Sequence, residues 1–155
     1  MKKIVGLCAP LAGIALALGL VVTSSSSAQA AYRMRITEIY YNSPGSDTGG
    51  NASLNAEWVL LHNTSGSWIT MTDWILHDGG QKHTFTFGSY AIAPHGYVKI
   101  HTGEGSRTQT NRYWNLSWYV WNNTGDTATL KDNHGNVIDR CSYNDPDTRH
   151  SDKIC

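Results

Sequence analysis

Between residues 33 and 143 the chain never sustains the apolar spacing of a helix. Short runs rich in Val, Ile, Thr, Tyr, Phe and Trp alternate instead with clusters of Gly, Asn, Asp, Pro and Ser. That rhythm predicts short strands joined by turns. Residues 33–41, RMRITEIYY, alternate Met34, Ile36, Glu38 and Tyr40 against Arg35, Thr37, Ile39 and Tyr41. Residues 42–55 are too polar to build a core and read as a long loop. Residues 56–63, AEWVLLHN, read as a strand, and TSGS turns the chain. WITMTDWILHD holds one or two further strands, around Trp68 and around Trp74 to Leu76. HTFTFG places Phe85 and Phe87 on one face, and a Pro-His-Gly turn at 94–96 separates two extended pieces. RYWNLSWYVWNN, residues 112–123, reads as extended and aromatic-rich. TATLKD and VIDRCSY flank NHGN, a short hairpin loop. The tail, residues 144–155, is polar and reads as loose except where Cys155 holds it. Seven to nine strands with evenly spaced turns predict an all-β, antiparallel sandwich or barrel.

The first 30 residues differ in kind. Lys2 and Lys3 precede an uncharged apolar run over residues 4–22, a serine tract, and Ala28-Gln29-Ala30. This is the pattern of a secretory signal, cut after Ala30. An uncleaved anchor is the alternative, because the run is long enough to span a bilayer. Pro10, Gly6, Gly13 and Gly19 weaken it as a permanent helix. The expected organisation is residues 1–30 as signal peptide, 31–143 as one sandwich domain and 144–155 as a tail. The expected location is outside the cell, free or held at its surface.

Losing Lys2 and Lys3 takes 12 Lys+Arg to 10, against 12 Asp+Glu, a formal net charge of −2. With no basic block, nucleic acid is not favoured as a partner. Cys8 leaves with the signal, so Cys141 and Cys155 remain. Two cysteines in an exported chain suggest one disulfide, with free thiols or a bond to another chain as alternatives.

Candidate chemistry is sparse. In WNNTGDTATL, residues 121–130, Gly125 and Asp126 read as turn chemistry: a glycine with positive φ and an aspartate that caps backbone N–H groups. Calcium needs six or more oxygen ligands, and Asp126 would need Asp47, Asp73, Asp78 or Asp132 brought to it by the fold. The seven histidines (His62, His77, His83, His95, His101, His134 and His150) lack zinc-site spacing and read as surface residues at strand ends and turns. No Gly-x-Ser-x-Gly elbow is present. Glu38 and Glu57 form a glycosidase pair only if the fold sets them at the required separation. Trp114, Trp118 and Tyr119 are the candidate ligand-binding residues, because exposed aromatics mark binding surfaces. No catalytic residue, metal ligand or cofactor is assigned.

The order of motifs resembles the lamin tail domain. ITEIYYN (36–42) resembles its opening strand. NAEWVLLHN (55–63) resembles its Asn-Glu-Trp-Val segment and carries Glu57 and Trp58. MTDWILHD (71–78) supplies Trp74. IAPHGYVKI (92–100) resembles its Pro-Gly turn. WNNTGDTATLKDNHGNVID (121–139) resembles its signature, with Trp121, Asn122, Gly125 and Asp126. Leu60 stands where the family has a second Glu, and His95 is an extra residue between Pro94 and Gly96. The resemblance implies an immunoglobulin-like β-sandwich of the secreted bacterial type, serving as a binding or scaffolding module. Its partner would be cell envelope, polysaccharide or another protein. A small secreted hydrolase or hydrolase accessory domain, and a surface protein that self-assembles through sheet edges, are the alternatives.

Overall fold

The computed structural model describes residues 33–155; the predicted leader and its cut after Ala30 lie outside them. The alternation expected over residues 33–41 holds only part of the way along β1 (Met34–Tyr40). Met34 and Ile36 point inward, and the next inward residue is Ile39 instead of Glu38. A bulge between Ile36 and Glu38, in the pairing with β2 (Trp58–Asn63), reverses the phase. The Asp139 carboxylate accepts the Ile36 N–H there at 2.8 Å.

Beyond β1, the expected long loop contains one short helix, α1 (Asn51–Ala56), pinned by buried Leu54. Further along come β3 (Ile69–Thr70), β4 (Ile75–His77), β5 (Thr84–Thr86), β6 (Ala91–Ile92), β7 (Tyr97–His101), β8 (Asn111–Tyr113), β9 (Gly125–Lys131), β10 (Val137–Asn144) and β11 (Asp152–Ile154). The described residues thus hold eleven strands, more than the seven to nine expected, because several have only two or three residues. The aromatic-rich segment contributes only β8 as strand; Trp114 to Asn122 is irregular.

Two main sheets face each other, in the order β11-β1-β2-β7-β8 and β10-β9-β4-β5, with β3 and β6 forming a small separate ribbon. Every described pairing is antiparallel except β7 with β8. This is an immunoglobulin-like sandwich. Val59, Leu61, Val98 and Ile100 face inward from the first sheet, and Leu76, Ala128 and Leu130 from the second, all fully buried. Burying one such Val, Leu or Ile side chain stabilises by ~1.5–3 kcal/mol. Trp74 and Trp121 join this core.

The polar tail is not loose. β11 pairs with β1, setting Ile154 opposite Glu38 and Asp152 opposite Tyr40. The Cys155 N–H donates to the Thr37 carbonyl at 3.0 Å. Cys155 is bonded to Cys141 on β10, with Cα atoms 5.9 Å apart. No residue of β11 is buried, so the strand is held by ladder bonds and the disulfide, not by an apolar face.

Candidate functional site

The turn before β9 does what its residues predict. Gly125 has φ +153°, and an added Cβ would lie 3.1 Å from the Tyr143 carbonyl oxygen, so a side chain would strain the backbone and crowd that carbonyl. Asp126 Oδ1 accepts the Thr127 N–H at 2.7 Å and the Gly79 N–H at 2.9 Å; Oδ2 accepts from the backbone and side chain of Asn122. The Asn122 carbonyl in turn accepts the Tyr143 hydroxyl at 2.8 Å. Asp126 therefore ties two turns to one strand. Asp126→Ala strands these donors at the protein surface and is expected to cost about 1–2 kcal/mol, read as a lower urea midpoint with an unchanged slope.

Glu57 is the most unusual side chain. It follows α1, is fully buried, and spends one oxygen on three donors. Its Oε1 accepts the Thr102 hydroxyl at 2.7 Å, the Val120 N–H at 2.8 Å and the Trp121 N–H at 3.1 Å. Its Oε2 is buried without a partner. Burial pushes this carboxyl up to about 7, against the pull of the three donors. A shifted acid in a cleft suggests catalysis. This one is sealed inside the sandwich and acts as a clamp joining the start of β2, the end of β7 and the loop before β9. Glu38 is half-buried on β1, and a carboxyl closed off as Glu57 is cannot work with it on a substrate.

The acidic residues are likewise engaged singly. Asp78 accepts from the backbone and ring of His83. Asp132 caps the 133–136 hairpin through His134 and Asn136. Asp145 accepts the Tyr41 hydroxyl and the His150 N–H. Among the described residues no three His, Cys, Asp or Glu side chains gather where they could hold a metal ion. His77 departs from expectation: it is buried, with Nδ1 2.7 Å from the Asp78 carbonyl oxygen. It follows directly after the core residue Leu76 and closes β4 under the Gly79 turn.

The aromatic residues divide into three settings. The first is a row across the outer face of the five-stranded sheet, where Tyr40, Trp58, His101 and Tyr113 lie in register. Tyr40 stacks on Trp58 with centroids 5.5 Å apart, and His101 on Tyr113 at 5.1 Å. Lys99 Nζ sits 3.5 Å above the Trp58 ring. Ring faces are thus largely taken by neighbours, which is cross-strand packing and not an open platform. The second setting is Trp118, 63% exposed and lying over Gly49. It packs edge-to-face on Tyr119, whose hydroxyl meets the Ser53 hydroxyl at 2.7 Å. Trp68, also 63% exposed, has the same character and stood out less in the sequence because it opens a strand-like run.

The third setting is a cleft. β5 and β8 are the free end strands of the two sheets, and between them opens a cavity of about 530 Å³. Trp114 lines it, edge-on to Phe85 at 5.9 Å and to Trp121 at 6.1 Å. Asn115 follows in a left-handed conformation, φ +62°, a geometry asparagine tolerates. Gly105 lies so close to the Tyr113 ring that any side chain there would collide with it. Arg107 and Arg112 complete the rim, and among the described residues no Asp or Glu lines the cavity. Of the three aromatic candidates, Trp114 reaches this cleft; Trp118 and Tyr119 belong to the adjoining loop. Arg107 and Arg112 carry no motif. Only the aromatic neighbour Trp114 drew attention to that stretch.

An immunoglobulin-like sandwich that carries a Glu-Trp-Val strand, a Glu clamp on Trp121 and an Asn-Thr-Gly-Asp turn defines a narrow class. The Lamin Tail Domain family profile matches residues 27–145. The chain belongs to the lamin tail domain family. A comparison with curated proteins returned no match.

Proposed function

We propose that the chain is an exported, non-catalytic binding module of lamin-tail type, with its ligand seated in the cleft between β5 and β8. The observation that carries this reading is the cleft itself: a concave site between the edge strands β5 and β8, with a half-buried tryptophan and two arginines at its rim. Small-molecule sites favour such concavities. Export is supported by the leader pattern of residues 1–30 and by the disulfide, which suits an oxidising compartment. The non-catalytic reading is supported by the fate of Glu57, whose carboxyl is consumed as an internal clamp. Envelope polysaccharide is favoured over protein, because the rim combines hydroxyl side chains with rings.

The test is a ligand screen by ¹⁵N chemical-shift mapping on residues 31–155, which hold the whole described sandwich. Soluble glycans, cell-wall fragments and short peptides form the panel. Saturable shifts at Gly105, Trp114 and Asn115 are expected with at least one member. Shifts confined to other surfaces, or none with any member, end this reading.

A further inference from the structure

The cleft's lining is specific enough to name a ligand class. Resting on the cleft reading above, we infer that its occupant is a carboxylate-bearing sugar, a uronate residue of an acidic polysaccharide. The argument begins with charge. Among the described residues, Arg107 and Arg112 are the only charged ones on the lining, in a chain whose residues 31–155 carry a small negative excess. Among the described residues neither guanidinium has a carboxylate partner. Burial, opposed by Tyr90 and reinforced by the Arg107 charge, lowers the Arg112 pKa. Two guanidiniums lining one cleft without a counter-charge are relieved by an anion.

Geometry makes one of them a positioned group. The Arg112 guanidinium lies over the Tyr90 ring, 4.1 Å from its centroid, and donates from one nitrogen to the Thr108 carbonyl. Tyr90 is itself fixed, donating its hydroxyl to the Gln109 carbonyl at 2.8 Å. The planar fork is therefore held at both its face and one corner, leaving further N–H donors to aim at a carboxylate. Arg107 is exposed and has no such anchor, so it is free to close on the second oxygen.

The remainder of the lining fits a polyhydroxylated ring. Thr84 and Thr86 are exposed on β5 and line the cleft, as does Asn115. Trp114 supplies apolar surface. A sugar offers both hydroxyls and an apolar ring face to such a set. An acidic peptide is the rival. It would add as a strand to the free edge of β5. There the register with β4 directs the backbone groups of Thr84 and Thr86 outward. That strand has only three residues, which gives a peptide little ladder to hold.

The experiment is calorimetric titration of residues 31–155 with three probes: a short oligogalacturonate, its methyl ester, and an oligoglutamate of equal charge. Cleft shifts are recorded in parallel for each. The oligogalacturonate is expected to bind, with the methyl ester weaker by about tenfold or more, since a charge-assisted contact is lost. Arg112→Gln and Arg107→Gln are each expected to weaken oligogalacturonate by about tenfold with no change for its methyl ester. Arg107, being exposed, keeps the test valid if Arg112→Gln lowers the melting temperature. Equal binding of acid and ester overturns the inference, as does binding of oligoglutamate without the sugar. Cleft shifts caused by the methyl ester or the oligoglutamate but not by oligogalacturonate overturn this inference and leave the cleft reading standing. Silence from the cleft with all three probes overturns this inference, and silence with the whole panel named above overturns the cleft reading as well.

Discussion

Glu57→Ala is expected to destabilise the fold by about 4 kcal/mol, the largest effect of any single polar substitution considered, because it removes the acceptor for three donors and leaves a cavity. Two of those donors are the buried backbone N–H groups of Val120 and Trp121, left without their acceptor when the carboxyl is removed. Glu57→Gln keeps an acceptor oxygen in place and is expected to cost far less. The pair of variants also isolates a pH effect. The folded-state value of Glu57, about 7, lies above its unfolded value near 4.5. The native state therefore binds the proton more tightly, and stability falls as pH rises from 4.5 through 7. The shift corresponds to about 3 kcal/mol between the two ends of that window. His62 runs the other way, since burial lowers it and its contribution is lost as pH falls. The decisive quantity is thus the difference between wild type and Glu57→Gln, measured by urea unfolding at pH 5 and pH 8. A wild-type protein that loses no more stability than the Gln variant over that interval contradicts the account of Glu57.

Replacing both Cys141 and Cys155 with serine is expected to lower stability by about 3 kcal/mol, the loop-closure value for a loop of about 15 residues; the bonded cysteines are 14 apart in sequence. The loss has a local signature. β11 has no buried residue and, once unclamped, frays from β1. The Tyr41 and Asn42 N–H groups, which donate to the Ser151 carbonyl at 3.0 and 3.1 Å, then lose protection from hydrogen exchange first. Reduction of the native protein gives the same pattern. Uniform loss of protection across both sheets, with no lead at Tyr41 and Asn42, contradicts it.

Much of the architecture was legible because burial imposes a period of two. β2, β5 and β7 show it plainly: Val59 and Leu61, Phe85, Val98 and Ile100 all point inward from alternating runs. β1 broke the rule through a bulge fixed in part by Asp139, more than a hundred residues away. β11 was invisible to pattern reading because nothing in it is buried. The Glu57 clamp was hidden for a related reason. Its donors stand 45, 63 and 64 residues away, so the resemblance flagged the residue but not its work. At the cleft, Trp114 was legible as an aromatic in an irregular segment. Its two walls come from 84–90 and 105–115, and only the meeting of two sheet edges joins them.

The Cys141–Cys155 bond also sets how the domain carries mechanical load. A pull on Cys155 does not need to travel back through β11 and the 145–151 turn. It passes straight into the middle of β10, whose seven-residue register with β9 runs from Asn144 opposite Gly125 to Val137 opposite Lys131. A pull on Arg33 enters at the start of β1, in the other sheet. Tension between these two points therefore acts to part the two sheets across their core, while β11 and the turn before it ride outside the line of force. In a module tethered at a surface, that arrangement spares its most exposed strand from being peeled away first.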